Sequence, residues 1–217
     1  MKNNGEKKIN YSLLLEQTIS ELLNKKEKPS LLLHACCAPC SSYVLEYLSN
    51  YFDITILFFN PNISPESEYN FRENELRRLI GEMPLPSSVK LISGRYCPEE
   101  FYEMAKGLEQ LDEGGERCKL CYTLRLAEAA KIAKESNFDY FTTTLSISPY
   151  KNAKWLNTIG EEEGIRFGVK YLFSDFKKKN GYKRSCELSE QYSLYRQNYC
   201  GCEFSKKAAE KRTQNKD

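Results

Sequence analysis

The chain has 217 residues, with 32 basic against 30 acidic side chains for a net charge of +2. A chain this long buries roughly 70% of the surface that its unfolded form exposes, so its core needs no disulfides. It has no run of about 18 apolar residues, and Glu16, Gln17, Thr18 and Glu21 interrupt any signal-peptide core within Met1–Ser30, so no membrane span is expected and the protein is expected to be cytoplasmic.

Leu15, Ile19 and Leu22 sit at spacings of four and three, which predicts a short amphipathic helix over Tyr11–Asn24. Pro29 breaks the chain before Leu31-Leu32-Leu33, continuously apolar like a strand buried on both faces. The loop His34–Ser42 follows, and Tyr43–Leu48 reads as a helix. A loop between a strand and a helix lies at the carboxyl edge of a parallel sheet, where open α/β folds hold their chemistry. Asp53–Phe59 predicts a second strand. Ser64-Pro65-Glu66 predicts a helix start with Pro65 at the first helical position, and the helix runs through Glu68–Ile80 with Arg72, Glu73, Glu75, Arg77 and Arg78 on polar faces. Val89–Ile92 reads as a third strand, Pro98 as the start of a helix, and Gly107–Gly115 as a polar loop. A further helix is expected from about Lys119, a fourth strand over Tyr140–Leu145, a helix over Asn152–Glu163 and a fifth strand over Gly168–Phe173. A basic segment, Lys177–Arg184, then precedes a polar helix near Leu188–Arg196, and the last dozen residues are expected to fray. The alternation of strand and helix predicts an α/β fold with a mostly parallel sheet and flanking helices. The expected divisions are an N-terminal helix and linker (1–29), one domain (30–204) and a charged tail (205–217).

Nine cysteines in a reducing compartment point to metal binding or redox chemistry. Seven fall in three groups: Cys36/Cys37/Cys40, Cys118/Cys121 and Cys200/Cys202. Cys118 and Cys121 are three apart at a helix start, where one turn aims both sulfurs the same way and the helix dipole favours thiolates. A lone pair of this spacing is also what a buried pair or half a zinc site shows; three groups favour a metal centre. There are more thiols than one zinc can use, which leaves zinc and iron–sulfur both open, with iron–sulfur the better match. Cys200-Gly201-Cys202 reads as a redox pair, as two ligands of a separate metal, or as two thiols in a tight turn. Cys97 and Cys186 read as small buried residues. His34, the single histidine, is either a packed core residue or a chemical participant. Asp112, Glu113 and Asp175 are possible hard ligands or acids.

The segments His34–Ser42 (HACCAPCSS), Glu113–Leu126 (EGGERCKLCYTLRL), Thr142–Asn152 (TTTLSISPYKN), Phe176–Tyr182 (FKKKNGY) and Leu194–Cys202 (LYRQNYCGC) closely resemble the epoxyqueuosine reductases of the QueH type. The resemblance implies reduction of epoxyqueuosine at the tRNA wobble position to queuosine, on a HUP-like (Rossmann-like) α/β fold with a C-terminal cysteine-containing extension. It implies a [4Fe–4S] cluster held by Cys36, Cys37, Cys118 and Cys121. An adjacent iron is also implied, with Cys40, Cys200, Cys202, Asp112, Glu113 and Asp175 as candidate ligands. Cys200 and Cys202 would otherwise form the redox-active, catalytic pair. The partners it implies are tRNA carrying epoxyqueuosine and an electron donor. Lys177, Lys178, Lys179, Lys183 and Arg184 offer phosphate contacts, though a charge run is also an ordinary solvated face. Tyr150, Lys151, Tyr182 and Tyr199 are expected to line the nucleoside pocket. One alternative is another HUP-type tRNA-modifying enzyme, such as an ATP-using sulfur transferase, but the Ser-Gly-Gly-x-Asp-Ser phosphate loop of those enzymes is replaced here by Ala35–Ser42. The other is a non-enzymatic, zinc-stapled RNA-binding module.

Overall fold

Five parallel strands run through the middle of the protein, whose computed structural model describes residues 9–214. They are β1 (Ser30–His34), β2 (Asp53–Phe58), β3 (Lys90–Ser93), β4 (Tyr140–Thr143) and β5 (Lys170–Tyr171), in the order β3-β2-β1-β4-β5. The chain moves outward from β1 to β3 and then returns to the other side of β1. The loops after β1 and β4 therefore part at the carboxyl edge, at a topological switch point. This is the Rossmann-like α/β arrangement expected from the sequence.

Helices supply the crossovers that parallel strands require. In chain order they are α1 (Tyr11–Lys25), α2 (Ala38–Leu48), α3 (Glu66–Glu82), α4 (Pro98–Ala105), α5 (Glu116–Glu135), α6 (Ala153–Phe167), α7 (Gly181–Gln191) and α8 (Glu203–Gln214). Leu31 and Leu33 face one core with Leu15 and Ile19 of α1, Val44 of α2 and Leu76 of α3. Leu32 faces the opposite core with Leu126 and Ala130 of α5 and Leu156 of α6. Residues alternate faces along a strand, so three consecutive leucines serve both layers, each side chain worth about 1.5–3 kcal/mol on burial. Asn10 and Asn152 cap α1 and α6, their side-chain oxygens accepting from Leu13 N and Trp155 N at 3.2 Å. Gly168 ends α6 in the left-handed region at φ +71°.

Several boundaries differ from expectation for local reasons. Helix α2 starts at Ala38, five residues early, because Pro39 tolerates a first turn that needs no N–H donor; Cys40 is thereby helical. Pro65 caps α3 from outside rather than opening it. Helix α5 starts at Glu116, so Cys118 and Cys121 both lie in its first two turns. Strand β5 is cut to two residues: the Thr142 hydroxyl takes the Leu172 carbonyl at 2.8 Å, and beyond Thr143 the chain turns into a 3₁₀ helix, Thr144–Ile147. Helix α7 begins at Gly181, where a Cβ would meet the Phe176 carbonyl oxygen at 2.0 Å, and it ends before Ser193, which has φ +49°. Of the last dozen residues, expected to fray, those up to Gln214 belong to α8, and 215–217 lie outside the described residues. Arg72, expected on a polar face, is 2% exposed because the C-terminal segment covers it. Cys97 and Cys186 are half-buried, not core residues. Among the described residues no helix is long and apolar enough to cross a membrane.

Candidate metal centre

The end of β1 and the first turn of α2 bring Cys36, Cys37 and Cys40 together, their sulfurs all within 4.8 Å of one another. Adjacent side chains normally diverge, but here the Cys36 and Cys37 Sγ atoms are 3.7 Å apart, with Cys37 in the extended cap position of α2. This group could hold a metal ion. Hydrogen bonds from the Cys37 and Cys40 thiols favour a thiolate at Cys36, and the positive charges of Arg125 and Lys151 add to the effect. Sharing that single negative charge pushes Cys40 up and Cys37 up to about 12.

The remaining four grouped cysteines form a second group beside the first, since Arg125 and Lys151 each interact with both Cys36 and Cys200. Cys118 and Cys121 from α5, and Cys200 and Cys202 from the turn before α8, line one cavity together with Tyr122, Tyr150, Lys151 and Asn62. Lys151 Nζ donates to Cys200 Sγ at 3.3 Å and lies 5.8 Å from the centre of the Tyr122 ring. Tyr150 is 85% exposed at the cavity mouth. Burial favours the neutral thiol at Cys118 and Cys202 and holds Cys121 up near 12. Metal ligation at these sulfurs would therefore release protons.

The Cys200–Cys202 turn is fixed from three sides. Arg72 Nη1 donates to the Cys200 carbonyl at 3.1 Å, Ser64 N–H to the Gly201 carbonyl at 3.1 Å, and Cys200 N–H to Ser205 Oγ at 3.1 Å. Gly201 has φ +117°, and a Cβ there would come within 3.0 Å of both Ile63 and Arg72. A side chain at this position would be strained and crowded at once.

Between the two thiol groups lies a polar junction that sequence reasoning missed. Arg125 is 1% exposed; its Nη2 donates to Asn60 Oδ1 at 2.6 Å, and Asn60 Nδ2 donates to the Ala35 carbonyl at 2.9 Å. The groups around Arg125 that can become anionic are the thiols of Cys121, Cys36 and Cys200. The spacing of Cys121 and Arg125 by four on one helix face was an available signal, and Asn60 marks the carboxyl end of β2. His34 is fully buried, and burial together with the Arg125 charge lowers its pKa to about 3. Its short contacts assign the proton to Nε2, which donates to the Phe59 carbonyl at 3.0 Å, while Nδ1 accepts from the Thr143 hydroxyl at 2.8 Å. In that tautomer the 3.4 Å approach of Arg125 Nε to His34 Nε2 is an electrostatic contact, not a hydrogen bond. Both ring nitrogens are engaged, which leaves the histidine a structural part and not a ligand.

Other sequence candidates scatter. Glu113 lines the thiol cavity and pairs with Arg212 at 3.6 Å. Asp112 is exposed, and Asp175 pairs with Lys177 at 2.6 Å. Neither lines the cavity. Tyr199 stacks under the Arg72 guanidinium at 5.2 Å and lines a neighbouring surface groove with Asn198 and Lys206. Tyr182 lies beneath Arg196 on α7. Of the basic run, Lys179 pairs with Glu16, Lys183 with Glu187 and Arg184 with Glu46, leaving Lys178 exposed.

Comparison with known proteins gives a family match and several relatives. The family model described as "Epoxyqueuosine reductase QueH" matches residues 31–208. An epoxyqueuosine reductase QueH of Staphylococcus epidermidis is 46% identical over 209 residues, covering 94% of this chain and 87% of that protein. Its counterpart in Streptococcus pyogenes serotype M1 is 42% identical over 206 residues, covering 94% and 81%. A crystal structure of a predicted tRNA methyltransferase subunit from Methanocaldococcus jannaschii aligns with a TM-score of 0.46 at 13% identity, covering 72% of this chain and 76% of that one.

Proposed function

The chain belongs to the epoxyqueuosine reductase QueH family, a family of oxidoreductases, and on that premise we propose that it reduces the epoxide of epoxyqueuosine in tRNA to the alkene of queuosine. The observation that carries this reading is the cavity where Cys118, Cys121, Cys200 and Cys202 converge beside Lys151 and Tyr150. We assign Cys36, Cys37, Cys118 and Cys121 to a [4Fe–4S] cluster. Cys40 and Glu113 are retained, with Cys200 and Cys202, as candidates for an adjacent iron.

The donor set suits such a group. Iron–sulfur clusters take soft thiolate ligands, and the two adjoining groups offer three and four sulfurs with no histidine nitrogen free. The buried Arg125 Nη1 and Arg72 Nη2 have no hydrogen-bond partner, so the site offers positive charge to an anionic metal–thiolate group. The chemistry supplied on binding would be one-electron transfer, with Lewis-acid polarisation of the epoxide oxygen wherever an iron keeps an open position.

Conversion of an epoxide to an alkene consumes two electrons and two protons and releases the oxygen as water. If they are not held by iron, Cys200 and Cys202, passing from dithiol to disulfide, would give up two electrons and two protons as both C–O bonds break and the C=C bond forms. A reductant outside the chain would then restore the dithiol. Lys151 orients the Cys200 sulfur toward the cavity. Tyr122 and Phe101 wall that cavity with apolar surface, which limits water around the reacting groups. Tyr150 stands at its mouth, where a flipped base can stack. We assign the reaction to the cytoplasm. A zinc-stapled binding module is less well supported, since two apolar cores already hold the sheet.

The test is incubation of anaerobically reconstituted protein with epoxyqueuosine-containing tRNA and a reductant, followed by nucleoside mass analysis. Queuosine is expected from the wild type. Cys121→Ala is expected to lose most of its iron and its product together. Full product yield from protein holding zinc alone would sink the reading.

A further inference from the structure

Arg125 is a buried cation without a carboxylate. Its side chain is among the largest fully buried in the protein, and among the described residues it forms no salt bridge. Its one short hydrogen bond goes to a neutral amide, Asn60 Oδ1 at 2.6 Å; Nη1 has no hydrogen-bond partner, and the Cys121 side chain stands close enough to favour the cation. Asn60 is itself held by its bond to the Ala35 carbonyl, so the guanidinium is locked against the backbone that leads into Cys36 and Cys37. From α5 it stands one turn beyond Cys121. An isolated charge is expensive to bury, and the surrounding groups that can become its counter-charges are sulfurs, those of Cys121, Cys36 and Cys200.

We infer that Arg125 is the residue that sets the reduction potential of the metal centre, holding it high enough to accept electrons from its donor. This rests on the iron–sulfur reading of the preceding subsection. A centre ligated by thiolates is anionic, and each electron it accepts adds one more negative charge in a medium of low dielectric. A fixed cation nearby favours the reduced form over the oxidised one, which raises the midpoint potential. Asn60 positions the guanidinium and, being neutral, leaves its charge uncompensated.

The experiment is a redox titration of the anaerobically reconstituted full-length protein, monitored by absorbance and electron paramagnetic resonance, with iron per chain measured alongside. Arg125→Gln removes the cation; Asn60→Asp neutralises it in place with an isosteric carboxylate; Arg125→Lys keeps the charge. At the wild-type midpoint, the reduced-to-oxidised ratio is expected to fall at least about tenfold in Arg125→Gln, which is 59 mV for a one-electron couple. Asn60→Asp is expected to shift in the same direction, and Arg125→Lys to stay within roughly threefold of the wild type. A wild-type potential in any iron-retaining Gln or Asp variant overturns the inference, as does a Lys variant shifted as far as the Gln variant. Loss of iron in both neutral variants with the fold intact also overturns it in favour of an assembly role, and collapse of the fold in both makes the arginine structural. A wild-type protein with no redox-active iron overturns the parent reading as well, whereas a wild-type couple that the variants do not move overturns this inference alone.

Discussion

Arg72 shows what the thiol turn costs the rest of the molecule. Its guanidinium is 2% exposed and is paired with Glu68 at 2.7 Å. It also donates to the Cys200 carbonyl and covers the Tyr199 ring. Arg72→Met would leave a carboxylate and a carbonyl without their donor, at a cost of about 3 kcal/mol, as expected when one member of a buried pair is removed. Chemical denaturation should show this as a lower midpoint, with Arg72→Lys falling between the two; an unchanged midpoint would remove Arg72 from the framework of the turn. The cysteines themselves were legible in the sequence because their chemistry is restrictive and their spacing is tight. The grouping of Cys118 and Cys121 with Cys200 and Cys202 around one cavity was not, since contacts between residues some 80 apart follow from topology and not from local spacing. Arg72 was expected on a polar face and Arg125 was passed over for a related reason: arginine is usually a surface residue, and only the acceptors around it reveal a buried one.

At the scale of elements, alternation and apolar runs predicted every strand and nearly every helix, because β1 and β2 are buried on both faces and α1 carries one apolar stripe. Boundaries failed where a tertiary contact decided them, as at β5 and α7. The close fit of α6 against β5 gives a paired test. A Cβ on Gly160 would lie 2.3 Å from the Tyr171 ring, whereas one on Gly81 in α3 would meet nothing within 4 Å. Gly81→Ala should gain up to about 1 kcal/mol from helix propensity. Gly160→Ala should gain the same and lose more, since overpacking a core costs about 1–3 kcal/mol. Thermal melts of the two variants should therefore move in opposite directions. Two upward shifts would mean that Tyr171 can move aside, and that the packing of α6 on the sheet is looser than its 8% exposed ring suggests.

For the whole molecule, near-balance of charge makes the binding of tRNA a question of where cations stand free. The carboxyl edge that carries the thiols also carries the segment after β5, but most of its cations are engaged: Lys177 with Asp175, Lys179 with Glu16, and Arg184 with Glu46. Lys178 is exposed and has no ion pair among the described residues. Exposed pairs are weak, with typical values of about 0–1 kcal/mol, so a phosphate can displace a carboxylate, yet it gains less there than at an unpaired lysine. If tRNA lies across this edge, Lys178→Glu should weaken binding and reduce the slope of log K against log salt by about one, the signature of one lost phosphate contact. Lys28 is the natural control. It precedes β1 at the amino edge and pairs with Asp53 at 3.2 Å, so Lys28→Glu should leave the slope as it was. Binding isotherms over a range of salt concentrations separate the cases. Equal losses from both substitutions would point to net charge alone, and no loss from either would make the basic run an ordinary solvated face. A loss confined to Lys178 would orient the tRNA over the same edge as Cys200 and Cys202, where Tyr150 stands exposed at the cavity.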